Sequence, residues 1–391
     1  MTALRIALLT HSTNPRGGVA HCLALAEALC ALGHEAVVHA PDPSGRGFFR
    51  VAACPTVSVA AKPIAGTTVD LVRARIDDYL RHFSTPAACD FDVFHAHCGI
   101  GGNALATLKH RRLIPGFVRT IHHVDSFSDP VLAQWQDRSI HEATSLLSVS
   151  RAWADLIEDD LGAEIGVVGN GVDLTLFQET PTEADAIVRE RWGIGVGPVV
   201  LSVGGFEERK NTAGIIEAFA LLRRRHRQAQ LVVVGGASLL DHASYDARCR
   251  AALSACGLAV GHGEAVIATG PVSQEEMPAF YRRADVLAFP SWKEGFGLCV
   301  LEAMACGTPA IVSRLPPFTE YLRTDDALFV DPGDPGDIAD AMAAALAPTT
   351  RASLRAAGAA RAAAHSWQAC AERHLATYAA CARDEHEPIH A

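Results

Sequence analysis

Short apolar runs alternate with helix-length segments along most of this 391-residue chain, and the pattern runs through twice. That alternation limits the fold to βαβ units, because strands lying parallel need a long crossover, usually a helix. The first series predicts strands at Arg5–Leu9, Ala36–His39, Val57–Val59, Val93–His97, Phe117–Ile121, Ser145–Val149 and Ile165–Val168, with helices such as Gly18–Leu32 and Gly101–Leu113 between them. The second predicts strands at Val199–Gly204, Leu231–Gly235, Val266–Ala268, Val286–Phe289, Ala310–Val312 and Ala327–Val330. A weak boundary near Asp173–Arg189 separates them. The length exceeds what one ordinary core supports. Two Rossmann-like α/β domains follow, with ligands expected at the carboxyl ends of the strands, in the cleft between the domains. The chain then becomes alanine-rich and helical, and its polar tail, Asp384–Ala391, is expected to fray.

Bulk chemistry excludes several classes. The net charge of −10 argues against a nucleic-acid partner. The most basic run, Arg223-Arg224-Arg225-His226-Arg227, is best read as cations at a helix C-terminus. A second cluster, Lys109-His110-Arg111-Arg112, reads as a solvated helix end, with contact to an anionic acceptor or peripherally to a membrane surface as the other readings. Eleven cysteines are an odd number without C-x2-C spacing, which points to a reduced, cytoplasmic protein rather than a disulfide or zinc scaffold. No window approaches the length of a transmembrane segment.

The most chemically informative stretch is Glu294-Gly295-Phe296-Gly297-Leu298-Cys299-Val300-Leu301-Glu302. A glycine-hinged helix start offers unpaired N–H groups and the positive end of a dipole to a phosphate. Glu302, about one and a half turns into the helix, is placed to accept paired hydroxyls such as those of a ribose. Glu294 stays on the loop. Together these features predict a nucleotide-sugar site.

The stretch resembles the E-x7-E motif of retaining GT-B-type glycosyltransferases of family four, the glycosyl transferases group 1. Leu4–Leu9 followed by Gly17-Gly18-Val19 resembles that family's first strand and Gly-Gly loop. Asp92–His97 and Thr120-Ile121-His122 resemble its histidine-bearing strand ends. Asn170-Gly171-Val172-Asp173 and Ala303-Met304-Ala305-Cys306-Gly307-Thr308-Pro309 continue the pattern in order, up to Trp367. The resemblance implies an α/β GT-B fold of two Rossmann-like domains facing each other across a cleft. It implies an N-terminal acceptor-side domain, 1–175, with the C-terminal helix 366–382 packing back on it. A nucleotide-sugar-binding domain, 176–365, would follow.

It also implies roles. Lys210 would neutralise the diphosphate leaving group, with Glu294 and His122 completing the catalytic set. The donor would lie against Gly17, Gly18, Arg209, Lys210, Val272, Glu294, Gly295, Phe296, Gly297, Leu298 and Glu302. Asn14, Arg16 and His97 would face the acceptor. The family often carries an arginine where Gly205 stands, and Arg209 is the candidate replacement. His123 competes with His122 should the register slip by one. His95 is read as pointing away from His97 should both lie within the strand.

The implied reaction moves a sugar from a UDP-, GDP- or ADP-sugar to a small-molecule, lipid or glycan hydroxyl. Anomeric configuration would be retained by same-face substitution, with the departing phosphate taking the acceptor's proton. No metal or other cofactor is expected, since no D-x-D motif stands where a metal-dependent transferase would hold its diphosphate. The alternatives are a nucleotide-sugar epimerase of the same architecture and a non-catalytic sugar- or nucleotide-binding protein. A nicotinamide dehydrogenase is disfavoured. The turn Gly99-Ile100-Gly101-Gly102-Asn103-Ala104 fits G-x-G-x-x-A but does not come one strand before Asp42, as a dinucleotide site requires.

Overall fold

A computed structural model describes residues 2–236 and 243–384, so the tail beyond Asp384 lies outside the described residues. Contacts divide the chain into two units. One runs to Asn170 and resumes at Trp367, and the other is Gly171–Ser366.

In the first unit, strands β1 (Arg5–Leu9), β2 (Glu35–Asp42), β3 (Thr56–Ala60), β4 (Val93–Ala96), β5 (Val118–Ile121), β6 (Ser145–Ser148) and β7 (Gly166–Val167) form one sheet. All pairings are parallel, in the order β3-β2-β1-β4-β5-β6-β7. Ile6 and Leu8 enter one core cluster, while Ala7 and Leu9 enter another. Alternate side chains of β1 therefore meet apolar packing on both faces, as helices covering both sides of a sheet require. Helix Gly17–Ala31 covers the first face with Cys22, Leu25 and Leu29. Helix Trp367–Asp384 packs on that helix and adds Ala371, Leu375 and Tyr378 to the same core.

The second unit repeats the plan with β8 (Val199–Val203), β9 (Gln230–Val234), β10 (Val266–Gly270), β11 (Val286–Phe289), β12 (Ala310–Ser313) and β13 (Leu328–Val330). The order is β10-β9-β8-β11-β12-β13, again all parallel. Helices Thr212–Arg223 and Pro335–Leu346 pack together over its core through Ile215, Phe219, Ile338 and Met342.

Some strand limits differ from the sequence reading. β2 runs three residues further, through Pro41 to Asp42, because Pro41 lies opposite Val59 and Asp42 accepts N–H bonds from Ser44, Gly45 and Gly47 at its end. β7 keeps only two residues. Gly101 and Gly102 follow β4 rather than β1. A Cβ on either would come 3.0 Å from Leu9 Cβ or 2.7 Å from Ser139 Cβ, so both serve close packing of a helix. No helix among the described residues is long and apolar enough to cross a membrane.

In each unit the chain starts mid-sheet and winds outward in both directions, so strand order reverses at β1/β4 and at β8/β11. Loops leaving the carboxyl ends of those pairs part to opposite faces and open a crevice. Most candidate residues sit on these loops or the helices they open, while His122 follows β5 and Val272 follows β10.

Candidate active site

In the second unit, β8 leads into Gly204–Glu207 and a short 3-10 turn, Glu208–Lys210, while β11 leads into Ser291–Gly297. A backbone bond from Trp292 N–H to the Arg209 carbonyl, 2.8 Å, ties the two loops together. Lys210 is buried, and its Nζ donates to Glu294 Oε1 at 2.5 Å. The same ammonium lies 4.2 Å from the centroid of the Phe289 ring, a cation–π contact that holds it over the end of β11. Arg209 Nη1 reaches the same carboxylate oxygen at 3.1 Å, and Arg209 Nε reaches Glu207 at 3.1 Å. Burial alone would raise the Glu294 carboxyl, but Lys210 and Arg209 outweigh it and hold the group below its ordinary range. Two cations thus converge on Glu294, and Arg209 also meets Glu207, so the cluster is two cations and two carboxylates.

Helix Leu298–Ala305 begins at Gly297, and no side-chain hydrogen bond caps it. Gly297 has φ +91°, and a Cβ there would stand 2.7 Å from Phe318 Cε1. The loop is pinned by Phe296, whose buried ring stacks on Tyr321 at 4.4 Å, while Tyr321 donates its hydroxyl to the Phe296 carbonyl at 3.2 Å. Gly295, Leu298 and Val272 are half-buried beside these elements, Val272 following β10. Glu302 is half-buried and accepts from the Tyr281 hydroxyl at 2.7 Å. Burial raises its carboxyl to about 7, with the Tyr281 bond opposing that rise.

In the first unit, Asn14 is exposed and Arg16 half-buried on the loop after β1, and Gly17 and Gly18 open helix Gly17–Ala31. A Cβ on Gly18 would touch His122 Cδ2 at 4.0 Å. His97 follows β4 and His122 follows β5, with His97 Nδ1 3.3 Å from His122 Nε2. Burial drives both well below the ordinary histidine range, so both are neutral at pH 7. His123 turns instead to Asp125, at 3.2 Å, and is half exposed.

His95 lies beside His97, which follows β4, so the condition on which the two were expected to part is not met. Its ring centroid lies 4.1 Å from that of His97, because residues two apart on an extended chain share a face. His95 spends both nitrogens on structure, with Tyr378 at 2.6 Å and Thr120 at 2.8 Å.

Three residues here escaped the sequence reading. His21 is fully buried on helix Gly17–Ala31, its ring 4.7 Å edge-on to that of His122. Arg119 is buried in β5 and donates to the carbonyls of Ala96 and Thr120, and burial lowers it to about 10. An arginine inside an apolar strand is the signal that would have found it. His11, two residues past β1, is lowered to about 4 by burial, with the nearby charges of Arg16 and His123 adding to that.

Two doubly wound parallel sheets of this order are the plan of the GT-B fold. Residues 187–361 match the model described as "Glycosyl transferases group 1", and residues 15–176 match that of "Glycosyltransferase Family 4". The D-inositol 3-phosphate glycosyltransferase of Acidothermus cellulolyticus is 32% identical over 308 residues, covering 74% of this chain and 67% of that protein. Its namesake from Xylanimonas cellulosilytica is also 32% identical, covering 74% and 72%. Among solved structures, sucrose-phosphate synthase from Thermosynechococcus elongatus superposes with TM-score 0.76 at 21% identity, over 96% of this chain and 98% of that one. HepE of Anabaena, in complex with UDP-glucose, gives TM-score 0.75 at 19% identity, over 96% and 100%. The chain belongs to the glycosyl transferases group 1 family and is a glycosyltransferase of the GT-B type.

Proposed function

We propose that this protein transfers a sugar from a UDP-sugar to the hydroxyl of a phosphorylated polyol or sugar, with retention of anomeric configuration and without a metal. The observation that carries the reading is the convergence of Lys210 and Arg209 on Glu294 where β8 and β11 part. The second domain, 176–365, holds the donor. Lys210, Arg209 and the N–H groups at Gly297 and Leu298 take the diphosphate, and Glu302 takes the ribose hydroxyls. Val272 lies against the base. The two cations stabilise charge that grows on the phosphate as the glycosidic bond breaks, which lowers the barrier more than it tightens binding.

The first domain, 1–175, takes the acceptor, with Gly17, Gly18, Asn14, Arg16 and His97 around it. Neutral His122 hydrogen-bonds a hydroxyl of the transferred sugar and orients its reacting face. Glu294 is engaged by two cations and is a poor nucleophile, so retention is assigned to same-face substitution, the leaving phosphate accepting the acceptor's proton. HepE, seen with UDP-glucose, supports a uridine donor, and the relatives named for inositol 3-phosphate support a phosphorylated acceptor. Arg119, a buried cation at the strand ends of the acceptor-side unit, fits such an anion.

The test is transfer from UDP-, GDP- and ADP-glucose to inositol phosphate by the purified chain, with the product anomer read by NMR and with melting curves on each free nucleotide. A ligand at 100 times its Kd stabilises by about 2.7 kcal/mol. Stabilisation by UDP together with an α-linked product supports the reading. An inverted product, or turnover of the donor to its epimer without acceptor, overturns it.

A further inference from the structure

We propose that His21, His97 and His122 form a binding site for one borderline-soft divalent cation of the zinc class, whose occupancy blocks transfer. Among the described residues this is the group of three whose ligand atoms all lie within 4.8 Å of one another. Zinc binds imidazole at about 2.0–2.1 Å, so two nitrogens on one tetrahedral ion stand about 3.3–3.4 Å apart. His97 Nδ1 and His122 Nε2 are already 3.3 Å apart. The third ligand, on His21, lies within 4.8 Å of both, and His122 is the half-buried member of the three.

The second observation is the orientation of His21. Its Nδ1 lies 2.6 Å from Asn170 Oδ1, an acceptor that fixes the proton on Nδ1 and leaves the Nε2 lone pair free. That Nε2 is buried with no hydrogen-bond partner. A ring held through one nitrogen by an oxygen acceptor, with the other nitrogen bare, is how metal-ligating histidines are built. An unpartnered polar atom in a fully buried side chain otherwise costs stability. Burial also keeps all three rings neutral, and on binding the ion replaces the His97–His122 hydrogen bond, its proton moving to the donor ring's other nitrogen.

The ligand set selects the ion. Three imidazoles without a carboxylate suit zinc, copper, nickel or cobalt, and do not suit magnesium or calcium, which demand oxygen. Three nitrogens leave one position for water or an anion. The charge of Arg119, felt at His122, favours the anion. Coordination occupies the His122 lone pair, and the block on transfer rests on the role given to His122 above.

The experiment titrates the metal-free full chain with cobalt(II), whose visible spectrum reports tetrahedral nitrogen coordination independently of activity, and follows transfer against added zinc. The expected result is one equivalent of a tetrahedral cobalt spectrum, displaced by zinc, with zinc inhibiting transfer at matching occupancy. His21→Asn loses the spectrum, keeps transfer and escapes inhibition. Asn170→Ala keeps the ligands and weakens cobalt binding by about 10- to 100-fold, which holds the test open should His21→Asn not fold. No tetrahedral spectrum, or one unchanged in both variants, overturns the site. A spectrum with uninhibited transfer overturns the block. A spectrum in a chain that transfers no sugar from any donor leaves the metal site standing and overturns the transfer reading alone.

Discussion

Lys210 Nζ stands 2.5 Å from Glu294 Oε1 although 84 residues separate the two, and both are buried. The pair exists because β8 and β11 are neighbours and their loops leave the same sheet end. It has a stability consequence and a catalytic one, which mutation separates.

Lys210→Met removes the nearer cation from a buried carboxylate. We expect transfer to fall about 100- to 1,000-fold and stability to fall by about 3 kcal/mol. Adding Glu294→Leu should recover most of the stability and none of the transfer. Melting curves and initial rates check this, and recovery of turnover in the double variant would end the catalytic assignment.

Glu302 titrates near neutrality. Its carboxyl is raised from 4.5 to about 7, so between those values the folded state holds a proton that the unfolded state has lost. Its contribution to stability is therefore full below pH 4.5 and is lost as pH rises through 7. Glu302→Gln should flatten that slope in denaturant titrations. Hydroxyl donors from a bound nucleotide favour the carboxylate, so UDP binding at pH 6.5 should release protons in the wild type and not in Glu302→Gln. Calorimetry in two buffers of different ionisation enthalpy measures the difference, and equal proton counts would remove Glu302 from the ribose.

His122→Ala should lower transfer far more than it weakens binding of free UDP. The histidine is assigned to the sugar, not to the nucleotide. Equal losses in kcat and in UDP affinity would make it a structural member of the histidine cluster.

Gly205 stands where the family often has arginine, and the backbone explains why an arginine is not simply restored. Its φ is +72°, and a Cβ would meet the Gly235 carbonyl oxygen at 3.0 Å. Gly205→Arg should destabilise the protein by about 1–3 kcal/mol and leave donor affinity no better. Arg209→Ala should raise the donor KM and also lower stability, because it leaves buried Glu207 without its cation. A Gly205→Arg variant that melts normally and rescues Arg209→Ala would reverse this assignment.

The sequence by itself determined the repeated α/β plan, because apolar period and crossover length are local properties of the chain. It also determined the uncapped helix start at Gly297, where glycine spacing and the absence of a capping side chain are both local. Tertiary structure decided what each charge meets. Nothing in the order of residues places Arg209 and Lys210 on one oxygen of Glu294, or turns the Tyr281 hydroxyl to Glu302 and raises its carboxyl to about 7. The histidine cluster is the clearest case. His21, His97 and His122 come from a helix and two strand ends, and His21 is aimed by Asn170, 149 residues away. Periodicity fixes which face a side chain takes within its own element. Only packing of distant elements fixes its neighbours, and through burial and hydrogen bonding those neighbours set its charge.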